Sequence, residues 1–300
     1  MNIVTHRTLY FWITGIVLAA AIGAIVVFGI PRAIDFTGGS LLQVSYQGEM
    51  PALSAIQEQV ATVSLGAISV RAFGTNAVSI RTRTMTPAEH DAVLAALSRD
   101  GAPVTELSFD SVGPALGGQF ETKALWAIIA VALAIVLYIA IAFRKVSRPV
   151  PSWGYGLTVV AILIHDLIIP AGFFAILAHF TGVEADALFI TALLALLGYS
   201  VNDTIVIFDR IREHLARNER ENNKEPFEET VGKSISETMT RSINTSLTVV
   251  LALLALALFG AAATRVFALV MLVGVIAGTY SSILLAAPLL IPLARKFTRS

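Results

Sequence analysis

The chain has 300 residues, 56% of them hydrophobic and 14% charged, against roughly 25% charged in an ordinary soluble domain, so one water-facing core is excluded and lipid is the solvent that fits. The formal net charge is zero, which leaves no overall field to attract nucleic acid. The absence of cysteine removes disulfides, thiolate nucleophiles and cysteine-held metals.

A membrane span needs about 20 mostly apolar residues. The first such run, Tyr10 to Ile30, is longer than the apolar core of a signal peptide, and no small-x-small cleavage site precedes Arg32, so it reads as a retained helix. Five further runs follow at about 124–143, 154–177, 186–208, 243–260 and 265–291, giving six spans. Tyr10, Trp12, Trp126, Phe143 and Trp153 suit interfacial belts at their ends. On one side the short loops carry Arg7, Arg144, Lys145, Arg148, Arg210, Arg212, Arg217, Arg220, Lys224, Lys233, Arg241, Arg295, Lys296 and Arg299. The other side offers only Arg265, with acidic Glu184 and Asp186. The positive-inside rule then puts both termini in the cytoplasm and residues 31–121 outside it.

The expected organisation is therefore 1–30 as N-terminus and first span, 31–121 as an outer domain, and 122–300 as a five-span bundle. Within the outer segment, Leu42, Val44 and Tyr46 alternate as on a half-buried strand. A helix opens at Pro51, strands are expected near 67–73 and 77–84, and Gly74-Thr75-Asn76 reads as the turn between them. Thr86-Pro87-Ala88-Glu89 is a helix start: Thr86 caps, Pro87 gives up no needed N–H, and Glu89 closes a capping box. A last strand lies near 103–110. The order βαββαβ predicts a ferredoxin-like sandwich. It contains no nucleophile-plus-base pair or metal cluster, so the chain reads as a binding or mechanical protein rather than an enzyme, with no metal and no organic cofactor.

Ionisable groups inside spans are costly and mark function by default. In the fourth span Tyr199, Asn202, Asp203 and Val206 share one helix face, and in the fifth Arg241, Asn244, Thr245 and Thr248 do so. The third carries His165-Asp166, which reads either as a relay or as a packing feature. The sixth has Gly274, Gly278, Ser281 and Ser282 on one face, a surface that lets backbones approach. Facing these stripes inward would bring Asp203 to Arg241. Desolvation favours the protonated carboxyl and a guanidinium favours the carboxylate, so such a group can take and release a proton. The same residues also read as a structural pair, or with Arg241 snorkelling to the cytoplasm.

Three other patterns lead nowhere. Gly232-Lys233-Ser234 lacks the first glycine of a phosphate loop, since Phe227 stands there. Asn244-Thr245-Ser246 is a glycosylation sequon on the cytoplasmic side. Asp166 and Asp203 suggest an intramembrane aspartyl protease, but Ser200-Val201-Asn202 replaces the Gly-x-Gly expected before the second acid.

Five motifs, in order along the whole chain, resemble the SecF branch of the SecD/SecF family in the RND superfamily. They are Asp35-Phe36-Thr37-Gly38-Gly39-Ser40, Ser111-Val112-Gly113-Pro114, the run Gly198 to Glu213, Arg241 to Ser246, and Gly278 to Ile283. The resemblance implies an RND-type half-unit in the bacterial inner membrane, partnered with SecD and usually with SecYEG and YajC. It implies proton-motive-force-driven help to late preprotein translocation. The family's coupling carboxylate falls on Asp203 and its functional arginine on Arg241. On this reading Asn202, Thr245 and Asp166 take part, protons are the coupling ion, and movement reaches the outer domain through Asp35–Gly39, where Gly38 and Gly39 permit bending. A passive assembly subunit and a small-molecule exporter are the rival readings.

Overall fold

The computed structural model describes residues 2–73, 76–98, 103–144 and 149–298; the expected Gly74-Thr75 turn and the cations Lys145, Arg148 and Arg299 lie outside them. The elements run α1 (Asn2–Thr5), α2 (Arg7–Phe28), α3 (Ile34–Thr37), β1 (Gly39–Tyr46), α4 (Leu53–Ala61), β2 (Ser69–Phe73), β3 (Ala77–Thr82), α5 (Pro87–Leu97) and β4 (Val104–Val112). Then come α6 (Pro114–Ala142), α7 (Ser152–Thr181), α8 (Ala187–Arg220), α9 (Phe227–Phe259) and α10 (Ala262–Ser281), with a π-helical turn (Ser282–Ala286) leading into α11 (Ala287–Thr298). Among the described residues, six helices are long and apolar enough to cross a membrane, the sixth running from Thr264 to Phe297 through the π turn. Several overrun the hydrophobic runs: α8 continues to Arg220 and α9 begins at Phe227, because charged turns can extend a helix beyond the bilayer.

The chain divides into two compact units, one of residues 1–30, 126–181 and 187–300, the other of 31–125 and 182–186. In the smaller unit the four strands form an antiparallel sheet in the order β2-β3-β1-β4, the ferredoxin-like arrangement. Leu42, Val44 and Tyr46 of β1, Val78 and Ile80 of β3, Ile56 and Val60 of α4 and Val93 and Leu97 of α5 form its buried core. The α5 cap is built as its sequence dictates: Glu89 N–H donates to Thr86 Oγ1 at 3.3 Å and Thr86 N–H to the Glu89 carboxylate at 2.8 Å.

Residues 182–186, which connect α7 to α8, belong to this smaller unit. Ala33 N–H donates to Ala185 O at 2.8 Å and Ala185 N–H to Pro31 O at 2.7 Å, making a parallel bridge between Arg32 and Ala185. From sequence alone this stretch reads only as a short acidic loop.

In the larger unit α7, α8 and α10 pack on one another, α2 lies along α7, and α9 lies along α8 and α10. Their core includes Tyr155, Ile162, Leu197, Phe208, Ile283 and Leu290. About half or more of the apolar stretch is buried in α7, α8 and the sixth span, against a small fraction in α2, α6 and α9. The small residue Gly172 of α7 lets α2 come close: a Cβ there would stand 2.6 Å from Ala21 Cα. At one end of the unit Glu228 collects Arg7, at 3.4 Å, and Arg295, which brings the N-terminal end, the α8–α9 connection and the C-terminal end together.

Candidate functional site

Asp203 lies on the buried side of α8, 4% exposed, between Ser200 and Ile207 of the same face. The groups facing its carboxylate are Ser242 and Ser246 of α9, and Arg241 acts on it only at longer range. Its Oδ2 and the Ser242 Oγ are both buried and without a hydrogen-bond partner. A buried orphan oxygen is unusual, because leaving a polar atom unpaired costs about 1–3 kcal/mol and more for a charged one.

Ser246 is the junction of this site. The Tyr199 hydroxyl donates to its Oγ at 2.8 Å, and Thr279 Oγ1 of α10 lies 2.7 Å from the same oxygen. Thr279 is also 2.7 Å from the Val275 carbonyl, which can only accept and so takes the single Thr279 proton. The Ser246 hydroxyl thus stands between Thr279 of α10 and the Asp203 carboxylate of α8.

A second buried cluster joins α7, α8 and α10. His165 Nδ1 stands 2.6 Å from Asp166 Oδ1, while Asp166 Oδ2 accepts from Ser200 Oγ and from Ser281 Oγ, the latter at 2.9 Å. With an acceptor at Nδ1, the Nδ1–H tautomer is fixed, and His165 Nε2 takes the Tyr280 hydroxyl at 2.7 Å. Thr279, Tyr280 and Ser281 therefore contact both clusters in three consecutive residues, just before the π turn. Single π turns inside α-helices recur at functional positions.

The inward stripe expected of the fifth span is displaced by one residue, and in the fourth Asp203 is buried but Asn202 is not. Asn202, Arg241, Asn244, Thr245 and Thr248 are exposed, whereas Asp203, Ser242 and Ser246 are buried. Successive helical residues are rotated by about 100°, so Arg241 and Thr245 point off the face that their neighbours Ser242 and Ser246 present to Asp203. The anticipated direct Asp203–Arg241 ion pair does not form among the described residues. Arg241 instead lines a cavity of about 490 Å³ with Asp209, Arg210, Glu213 and Thr238. Of the small-residue stripe, Gly274 packs against Leu196 and Gly278 against Ser200, as a packing surface does, while Ser281 is a ligand of Asp166. The sequence reading missed Ser242, Ser246 and Thr279 as site residues. The signal available for them was small hydroxyls at helical spacing beside the charged positions.

In the smaller unit the first two motifs form one joint. Asp35 lies in the first turn of α3, half-buried, where a carboxylate suits the helix N-terminus. Phe36 packs on Phe120 with ring centroids 5.3 Å apart, and Thr37 Oγ1 accepts from Arg81 at 2.5 Å. Ser40 Oγ is 2.8 Å from Ser111 Oγ and accepts from Met85 N–H at 2.9 Å. Gly38 and Gly39 have φ of +72° and +121°; a Cβ would stand 2.6 Å from Pro114 Cα at the first and 2.6 Å from Thr82 O at the second. These glycines are demanded by a close approach of backbones, a different reason from the bending expected of them.

Residues 93–296 match the family model for "Protein export membrane protein SecD/SecF, C-terminal", and residues 23–49 match the SecD/SecF GG motif. The chain belongs to the SecD/SecF family, in its SecF branch. A protein translocase subunit SecF from Thermobaculum terrenum is 37% identical over 304 residues, covering 97% of this chain and 93% of that one. One from Anaerolinea thermophila is 38% identical over 294 residues, covering 97% and 93%. Among solved structures, SecDF from Thermus thermophilus, a translocon-associated membrane protein, superposes with a TM-score of 0.80 at 29% identity, covering 97% of this chain and 38% of that one. SecDF in a super-membrane-facing form gives 0.67 at 30% identity, covering 100% and 39%. The chain thus spans nearly all of these SecF relatives and about two fifths of the SecDF chains. It is a multi-pass membrane protein, and the Gly38-Gly39 pair falls within the matched GG motif.

Proposed function

We propose that the chain is the SecF subunit of a Sec protein-export machinery, a transport component and not an enzyme, and that it couples proton movement to late translocation through Asp203. The observation that carries this reading is the buried, unpartnered Oδ2 of Asp203 beside a hydroxyl with two possible acceptors. A proton arriving on Oδ2 gives that oxygen an O–H that the unpartnered Ser242 Oγ can accept. It also sends the Ser246 proton to Thr279, which tightens α9 on α10. Moving one charge down about 100 mV supplies about 2.3 kcal/mol, enough to bias two packings that differ by one or two hydrogen bonds. Protons are the coupling ion, and no cofactor enters.

SecD is the partner this reading requires. Asn202, Asn244 and Thr245 are exposed in this chain on two apolar helices, and polar groups in a bilayer seek a protein face. The SecDF relatives carry both halves in one chain. The complex sits in the bacterial inner membrane with both termini of this chain cytoplasmic, next to SecYEG and YajC, and acts on exported preproteins at the outer side. The test is Asp203→Asn in cells depleted of their own SecF. Gradient-stimulated export is lost while the complex with SecD is still recovered; unchanged stimulation overturns the coupling role.

A further inference from the structure

The outer unit holds the α7–α8 connection in a clamp. Glu184, half-buried, accepts Arg81 at 2.9 Å and pairs with Arg71 at 3.4 Å, and Arg71 also donates to Gly182 O at 3.2 Å. Arg81 in turn donates to Thr37 Oγ1 at 2.5 Å and to Arg32 O at 3.0 Å. One guanidinium therefore ties the loop to the α3 motif and to the bridge strand at Arg32 and Ala185. The loop has no slack. Helix α7 ends at Thr181 and α8 begins at Ala187, while Gly182 and Ala185 are both bonded to the outer unit. Two extended residues reach at most about 7 Å, so a shift of the outer end of α8 has to carry Ala185 with it.

We infer that Glu184 and the 182–186 loop are the positioning link through which the α7–α8 hairpin, which bears Asp166 and Asp203, moves the outer unit. This rests on the proposed coupling role of Asp203. It adds a second connection from the bundle to the outer unit besides α2, and this one converges on the Asp35–Gly39 linker at Thr37. Glu184 acts through Arg81 on Thr37, so the clamp and the GG motif are two faces of one joint.

The experiment uses the full chain with its SecD partner in cells depleted of native SecF. One variant inserts short Gly/Ser linkers after Thr181 and before Ala187, leaving every clamp residue in place but giving the hairpin slack. A second, Arg32→Cys with Ala185→Cys, locks the loop to the bridge strand in a chain that has no other cysteine. Asp203→Asn runs in parallel, and recovery of the complex checks folding in each. The expected result is loss of gradient stimulation to the Asp203→Asn level in the slack variant and full stimulation in the oxidised lock. Full stimulation with slack, while Asp203→Asn abolishes it, overturns the inference and spares the coupling role. Loss of stimulation on oxidation, restored by reductant, also overturns it, since the loop would then have to detach. No effect of Asp203→Asn removes the coupling role itself.

Discussion

Asp166 and Asp203 are both buried on neighbouring packed helices, yet Asp166 has donors on both oxygens whereas Asp203 leaves Oδ2 empty. The two acids are expected to respond in opposite ways to the same change. Asp166→Asn removes an acceptor shared by His165, Ser200 and Ser281 and destabilises the bundle by about 3 kcal/mol. Asp203→Asn removes an unsatisfied oxygen and leaves stability within about 1 kcal/mol. Thermal unfolding of the purified complex in detergent separates them; equal losses would make Asp203 a structural residue.

Gly38 and Gly39 are expected to tolerate no side chain. Each combines positive φ with a backbone contact that cannot yield, so alanine at either costs about 2 kcal/mol or more. The change loosens the joint between α3, Thr82 and Pro114. Limited proteolysis of the full chain at the outer face would report it; unchanged protection would refute the packing role.

The helix-packing glycines should rank by what a methyl group meets. At Gly172 it meets Ala21 backbone, at Gly274 the Leu196 side chain, and at Gly278 Ser200 Cβ at 3.3 Å, with Asp166 Oδ2 at 3.7 Å. Alanine is therefore expected to cost most at Gly172, about 1–3 kcal/mol, less at Gly274, where the buried Leu196 side chain rather than backbone has to shift, and least at Gly278. The order of midpoints in a denaturant series on the three variants is the measurement.

Glu89 provides a pH marker in the smaller unit. Its carboxyl is held down to about 2, first by the Arg83 guanidinium and then by the Thr86 N–H. A lowered folded value means that its stabilising contribution is complete above the ordinary carboxylate range and is lost as pH falls through about 2. Carboxyl NMR on the full chain should find Glu89 still ionised at pH 4, and Arg83→Ala should move its titration upward. Thr86→Ala should cost about 1 kcal/mol as a lost cap.

Much of this architecture was legible because it depends on local chemistry. The capping box at Thr86, the alternation in β1 and the apolar runs need no knowledge of neighbours. Helix facing is different. Asn202 and Asp203 are adjacent in sequence, and so are Arg241 and Ser242. Which of each pair is buried depends on how α8 and α9 rotate against α10, information that no single helix carries. On α9 the large cation Arg241 drew attention while the buried position went to the small hydroxyl of Ser242; on α8 the buried member is Asp203 itself. The loop at 182–186 was opaque for a related reason: Glu184 gains its meaning only from Arg71 and Arg81, about a hundred positions earlier.

The exposed Asn202, Asn244 and Thr245 have a consequence under the proposed pairing with SecD. Without that partner, their amides and hydroxyl would sit in or beside a bilayer whose lipid cannot satisfy them. The abundance of this chain is then expected to follow that of SecD, with stoichiometry enforced by loss of the unpaired subunit rather than by matched synthesis.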